Sequence, residues 1–383
     1  MLTEPQTIIH FINALLSHAI EKKASDIHIE SFQTTHRIRI RINGVLKEYQ
    51  SFECPIDPRL FARIKIMANL DTTEKRLPQD GQVQFNYHDK TYSIRISSCP
   101  TLYGEKIVLR LLYHHQFKSI TELGMTKNQH TLFLHALEKS QGSILVCGPT
   151  GSGKTMTLYA ALSYLNHPEV NIVSVEDPVE IAITGINQVN VNPAINLTFQ
   201  RALRSLLRQD PDIIMVGEIR DMETAKITLK ASQTGHLVLS TLHSRSALKA
   251  LLRLQQMGIA QYDLLDSLTL IISQRLLRSL CNHCKKPTHL NEETAAHFDL
   301  SKEDTLFTAS SCEKCHEGYL ARTAIFEFLP FTDELISCLL AHDSLFKVEK
   351  IIEENALYSL KQQAISMVKQ GITSLEEIKR NIL

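Results

Sequence analysis

The chain is 383 residues long, which at roughly 150 residues per domain predicts two or three domains and a sizeable core. Lysine plus arginine number 41 and aspartate plus glutamate also 41, so formal charge is zero, which argues against a broadly basic surface that coats phosphate. Hydrophobic residues at 43% and charged residues at 21% exclude disordered, collagen-like and low-complexity classes.

No run approaches the roughly 18 apolar residues of a spanning helix. The opening stretch MLTEPQTIIHFINALL carries Glu4 and lacks a positively charged lead, so it does not read as a secretory signal. A reducing compartment follows, and the eight cysteines are expected as thiols or metal ligands. Cys54, Cys99, Cys147 and Cys338 are scattered, whereas Cys281, Cys284, Cys312 and Cys315 form two pairs.

Residues 5–23 place Ile8, Ile9, Ile12, Leu15, Leu16, Ala19 and Ile20 at helical spacing, which predicts an amphipathic helix. From His36 to Ile42, Arg37, Arg39 and Arg41 alternate with Ile38, Ile40 and Ile42, so a strand shows arginines on one face and isoleucines on the other. Asn43-Gly44 reads as its hairpin turn. A helix over Arg59–Leu70 precedes a strand from Val83 to Tyr87, a turn at His88–Lys90, and a return strand through Ile94 and Ile96. Residues 1–112 thus read as an N-terminal α+β domain, and the polar, His-rich segment 113–121 as a linker.

Strand and helix then alternate: Ile144–Cys147, Thr155–Leu165, Asn171–Val175, Phe199–Arg208, Asp212–Val216, Glu223–Ser232 and Leu237–Leu239. This pattern predicts an α/β domain with a mostly parallel sheet and helices on both faces. From Ala247 onward the text reads as helical apart from the cysteine region.

Gly148-Pro149-Thr150-Gly151-Ser152-Gly153-Lys154-Thr155 fits G-x-x-x-x-G-K-[ST] between an apolar strand and a helix, the setting of a phosphate-binding loop. Its glycines let backbone N–H groups surround phosphate, Lys154 adds a cation, and Thr155 offers a hydroxyl to Mg²⁺. Asp212 to Gly217 runs into Glu218, a carboxylate at a strand's C-terminal edge, where ligands of open α/β sheets bind and where it could activate water. Glu176, Asp177 and Glu180 follow another strand, suited to positioning water or Mg²⁺, or alternatively to capping the loop. His236 and His243 flank the strand at Leu237–Leu239, as phosphate sensors, as interdomain contacts or as structural histidines. Arg201, Arg204 and Arg208 share one helix face and read as a solvated surface.

In combination these motifs resemble the secretion NTPases, the hexameric ATPases of type II secretion and type IV pilus assembly. The resemblance rests on the phosphate loop, on Val175–Glu180, on Leu206–Asp221 and on Thr234–His243, and it extends to Ala24–Glu30, Arg76–Gly81, Gly104–Lys106, Gln274–Leu276 and Ile325–Glu327. It implies an N-terminal PAS-like domain, a RecA-like ATPase core over 122–278, a Cys₄ zinc element over 279–318 and a C-terminal helical region over 319–383. It also implies ATP as substrate, with Mg²⁺ and Zn²⁺, and with Met156 beside the nucleotide loop.

In that family, N-terminal-domain arginines reach the nucleotide, and the matching positions are Arg95 and Arg110. Glu218 would activate water, assisted by Glu176, Glu180 and His236. Implied partners are copies of the chain in a ring and an inner-membrane platform protein, giving a cytoplasmic motor peripheral to that membrane, with no direct nucleic acid partner. Long forms add an N-terminal docking domain; only about 20 residues precede Ala24, so the resemblance is to a short form. Ser244-Arg245 and Ala321 depart from the family pattern without touching a phosphate or metal ligand.

Cys281-x₂-Cys284 and Cys312-x₂-Cys315 stand 27 residues apart, a spacing suited to tetrahedral Cys₄ zinc with a structural role. Such a tetracysteine is typical of the assembly branch of the family, whereas the retraction branch lacks it. A retraction motor, a non-hydrolysing nucleotide-ordered scaffold and a DNA translocase are the alternative readings.

Overall fold

A computed structural model describes residues 5–53, 58–113, 119–288, 298, 300–301, 304–341, 350 and 359–382. Cys54 and most of the expected linker lie outside the described residues. The chain forms two compact units, residues 1–115 and 116–383.

The first unit opens with helix α1, Pro5–Glu21, followed by strands β1 (Asp26–Ser31), β2 (His36–Ile42) and β3 (Val45–Phe52). Helix α2 (Pro58–Met67) leads to β4 (Gln79–Tyr87), β5 (Lys90–Thr101) and β6 (Gly104–Leu112). The six strands form one sheet in the order β3-β2-β1-β6-β5-β4. Alternation decides its two faces: Ile27, Ile29, Ile38, Ile40, Ile94, Ile96, Ile107 and Leu109 pack under Ile12, Leu15 and Leu16 of α1 and Leu60 and Ile64 of α2. The arginines between them stand on the opposite face. Asn43 and Gly44 both take positive φ, 49° and 80°, as the tight β2–β3 turn requires.

The second unit begins with α3 (Lys127–Leu137) and β7 (Gly142–Cys147), then α4 (Lys154–Leu165), β8 (Ile172–Glu176), β9 (Asn187–Asn190), α5 (Phe199–Leu206) and β10 (Ile213–Val216). It continues through α6 (Met222–Gln233), β11 (Leu237–Leu242), α7 (Ala247–Gln256) and α8 (Gln261–Ser267) to the long strand β12 (Leu268–Leu280). Strands β13 (Lys286–Thr288) and β14 (Leu306–Thr308) pair with each other, and β15 (Tyr319–Pro330) returns along β12. The main sheet runs β15-β12-β7-β11-β10-β8-β9, parallel except for β15. Helices cover both faces, so β7, β8, β10 and β11 are buried at every residue, which is why they read as unbroken apolar runs.

The helical reading of the text after Ala247 is corrected by β12 and β15. Leu268–Leu280 is one long, largely apolar run buried between neighbours, and periodicity alone does not separate such a strand from a helix. In Tyr319–Pro330, Phe326 and Phe328 alternate with Glu327 as a strand requires. Helices follow at Asp333–Leu340, Leu360–Lys369 and Leu375–Asn381, each capped by a Thr or Ser side chain that accepts from the third residue on.

Candidate active site

Parallel pairing brings the C-terminal ends of β7, β8, β10 and β11 to one edge of the sheet. The loop Gly148–Gly153 leaves β7 at that edge and enters α4. Two of its glycines are demanded by geometry. At Gly148 (φ 156°) a Cβ would lie 2.5 Å from the Gln274 carbonyl, and at Gly153 (φ 89°) it would lie 2.9 Å from the Gln274 amide nitrogen. Pro149, Thr150 and Gly151 are exposed, Ser152 is buried, and Thr155 and Met156 are half-buried in the first turn of α4.

Lys154 is 8% exposed and donates to the carbonyls of Gly148 at 3.0 Å and Pro149 at 3.1 Å. Burial lowers its pKa. The ammonium is thus tethered over the loop, at the place where a phosphate would meet the first N–H groups of α4. Gln274, on the neighbouring strand β12, supports both ends of the loop. Its carbonyl faces Gly148, and its side-chain oxygen accepts from Thr157 Oγ1 at 2.8 Å inside α4. The resemblance covers Gln274–Leu276 but gave Gln274 no role.

Glu218 follows β10 at the same edge. One carboxylate oxygen pairs with Arg220, and the other lies 3.4 Å from His243 Nε2. Arg220 also reaches Asp177 at 3.1 Å, tying the segment after β8 to the segment after β10. His243 has a lowered pKa, because burial and then the charge of Lys154 oppose protonation more than Glu218 favours it. A neutral imidazole, a carboxylate and a lysine therefore share one electrostatic neighbourhood.

One expected member of this cluster, His236, is at the opposite end of the sheet, and another, Glu176, is at this edge with its side chain buried. His236 stands before β11, at the end where Gly142 donates to its carbonyl, whereas the phosphate loop lies at the far end of β7. At roughly 3.3 Å per residue, β11 separates His236 from His243 by about 23 Å. His236 Nδ1 instead lies 2.9 Å from the Ala231 carbonyl, an anchor to the end of α6. Glu176, expected as a water- or Mg²⁺-positioning group, has its carboxylate buried and hydrogen-bonded within this chain. It ends β8 on the same face as Ser174, is 2% exposed, and accepts from Ser174 Oγ at 2.6 Å, Tyr159 Oη at 2.5 Å and Gln188 Nε2 at 3.1 Å. Glu180 is exposed on the segment after β8, and its N–H donates to Tyr159 Oη at 3.1 Å.

In the first unit, Arg95 on β5 lies opposite Arg110 on β6, and Arg110 lies opposite Asp26 on β1. Both arginines belong to the face away from the isoleucine core.

The four paired cysteines converge, with all their Sγ atoms within 4.8 Å of one another. Cys281 and Cys312 are 3.9 Å apart, and Cys315 is 3.6 Å from both Cys284 and Cys312. Tetrahedral zinc with Zn–S bonds of about 2.3 Å requires sulfurs about 3.8 Å apart, so this donor set fits it.

A family model described as "Type II/IV secretion system protein" matches residues 2–380. This chain belongs to that family. Its curated relatives include the type IV pilus assembly ATPase PilB of Acinetobacter baylyi, 44% identical over 387 residues, covering 99% of this chain and 67% of the relative. The type II secretion system ATPase E of Vibrio cholerae is 45% identical over 377 residues, covering 97% of this chain and 75% of its own length. By that membership the chain is a P-loop ATPase of type II secretion and type IV pilus assembly lineage. Among solved structures, the ATPase DotB of Legionella pneumophila matches with a TM-score of 0.71 at 21% identity, covering 97% of this chain and 94% of that one. The RecA-like fold is shared at that distance. Among the described residues no helix is long and apolar enough to cross a membrane.

Proposed function

We propose that this family member hydrolyses ATP to power assembly of a type IV pilus or a type II secretion pseudopilus. The observation that carries the reading is the grouping, at one sheet edge, of the Lys154 loop with a carboxylate, Glu218, held between Arg220 and His243. The 44–45% identical relatives, a type IV pilus assembly ATPase and a type II secretion ATPase, support the assembly role, and so does the four-thiol cluster.

Gly148 to Gly153 would surround the phosphate chain with N–H donors, and Lys154 would exchange its two loop carbonyls for phosphate oxygens. Mg²⁺, when bound, would neutralise charge on the phosphates, with the Thr155 hydroxyl as its protein ligand. Glu218 would orient the attacking water and take its proton, with His243 as its neighbour in place of His236. Glu180 would assist from the segment after β8. Arg95 and Arg110 would reach the phosphate chain as cations on closure of a ring of copies, expected to be a hexamer. Cys281, Cys284, Cys312 and Cys315 would hold a structural zinc. The motor would work at the cytoplasmic face of the inner membrane through a platform protein.

The test is steady-state ATPase activity of the purified chain with Lys154→Ala and Glu218→Gln, alongside molar mass by light scattering and zinc content. Mg²⁺-dependent turnover by a ring with about one zinc per chain, abolished by either substitution, is expected. An assembled, zinc-loaded protein that binds ATP without turnover would overturn the motor in favour of a scaffold.

A further inference from the structure

Asp26 is a buried carboxylate, 5% exposed, at the start of β1. Its neighbours in register are Arg41 on β2 and Arg110 on β6, with Arg95 next beyond Arg110 on β5. Cross-strand neighbours stand about 5 Å apart, so one row of the sheet reads Arg41, Asp26, Arg110, Arg95. Ser25 Oγ donates to Asp26 Oδ2 at 2.9 Å and Arg41 Nε lies 3.3 Å from the same oxygen, which fixes the carboxylate plane. The other oxygen, Oδ1, accepts from Arg110 Nε at 2.9 Å.

The atom of Arg110 that is held decides what the rest can do. A guanidinium carries five N–H donors in a rigid fork, and fixing it at Nε leaves both terminal nitrogens available. Among the described residues, Arg110 pairs with Asp26, and its side chain is still 56% exposed. A simple surface ion pair would spend the terminal nitrogens on the carboxylate. Here the carboxylate stands behind the guanidinium, and its burial and two further donors keep it there.

We propose that Asp26 is a positioning residue that holds Arg110 by Nε, so that Nη1 and Nη2 are presented in a fixed plane for bidentate contact with the phosphate chain of a nucleoside triphosphate. The proposal rests on the reading of Arg110 as a nucleotide-reaching cation. Without Asp26 the arginine keeps its charge and loses its preset orientation, and misplacement on that scale costs rate about 10- to 100-fold.

The test is a double-mutant cycle in the full chain: Asp26→Ala, Arg110→Ala and the pair, each scored for kcat and KM at saturating Mg²⁺. Asp26→Ala is expected to lower kcat by about 10- to 100-fold in the wild-type background and by less than about twofold in the Arg110→Ala background. Arg37→Met, which removes a guanidinium from Glu30 on the same sheet and leaves every donor to Asp26 in place, is the fold control and keeps wild-type kcat. If Asp26→Ala does not fold, Asp26→Asn replaces it, with the same non-additivity expected at smaller amplitude. Equal losses in both backgrounds would show that Asp26 acts through the fold and overturn the proposal. Full activity of Arg110→Ala would overturn the reading of Arg110 itself, and the proposal with it.

Discussion

His243 Nε2 lies 3.4 Å from Glu218 Oε2, at the edge of the sheet where the phosphate loop leaves β7. His236 precedes the same strand and is bound to the end of α6. The two histidines therefore separate in a single experiment. His243→Ala is expected to lower kcat by about 10- to 100-fold, and His236→Ala to leave kcat within about twofold while lowering the unfolding midpoint. Burial and Lys154 keep the His243 ring neutral below the ordinary 6.5. Between the lowered value and 6.5 the unfolded chain binds the additional proton, so this histidine's contribution to stability is complete above pH 6.5 and is lost as pH falls through that window. A pH–kcat profile whose acid limb moves in His243→Asn and stays put in His236→Asn is the expected outcome; the reverse assignment would refute it.

Glu176 is read as a brace between β8 and α4, since Ser174, Tyr159 and Gln188 all donate to it. Tyr159→Phe removes one donor and leaves the buried carboxylate short of a partner, at a cost of about 1–3 kcal/mol in unfolding free energy. Chemical denaturation should show that loss. The variant's kcat, measured well below its unfolding midpoint, should stay within about threefold of wild type. A large loss of kcat without a stability change would return Glu176 to the catalytic group.

Much of the fold was legible where a single residue type answers to a single geometric demand. Arg37, Arg39 and Arg41 against Ile38, Ile40 and Ile42 mark a half-buried strand, and the glycine spacing before Lys154 marks a tight loop whose Gly148 and Gly153 have no room for a Cβ. Which strand end and which face a group occupies is a tertiary matter. His236 and His243 flank one strand symmetrically in the text, and parallel register with β7 separates them. Glu176, Asp177 and Glu180 look equivalent until the pleat turns Glu176 inward beside Ser174. Gln274 reaches the loop from a strand distant in sequence, and β12 itself hid behind an apolar run with no period of its own.

Glu30 is a second buried acid on the arginine face of the first unit, 7% exposed at its side chain. Burial alone would push its pKa up, but hydrogen bonds from Arg39, Lys106 and Arg37 outweigh it and hold the carboxyl at about 2. The unfolded value is 4.5, so the native state binds fewer protons between these limits. The stabilisation is therefore complete above pH 4.5 and is lost as pH falls toward about 2. Allowing for solvent screening of the partly exposed partners, it amounts to about 2–3 kcal/mol. Glu30→Gln should lower the unfolding free energy of this unit by that amount at pH 7, and the gap from wild type should narrow markedly by pH 3. A gap that stays constant with pH would show that the ion cluster contributes through packing alone.

The cysteine pairs are mechanically tied to the last two helices. Leu280 N–H, just before Cys281, donates to the Ile372 carbonyl at 2.7 Å, and Lys285 Nζ, just after Cys284, donates to the Gly371 carbonyl at 2.8 Å. Beneath them Arg278 pairs with Glu377 at 2.7 Å, both side chains largely buried, and lies over the Tyr319 ring at 3.9 Å. Release of the proposed zinc would free the two knuckles that flank these anchors, so the effect should travel to Leu360–Lys369 and Leu375–Asn381 before it reaches α4. Hydrogen exchange with and without a chelator should show lost protection in those two helices while α4 stays protected. Arg278→Met provides a metal-independent route to the same end: it strands the buried Glu377 carboxylate, costs about 3–5 kcal/mol and deprotects the same helices with zinc content unchanged. Uniform deprotection of α4 together with the C-terminal helices on chelation would mean that the metal supports the whole unit, and that this division of labour is wrong.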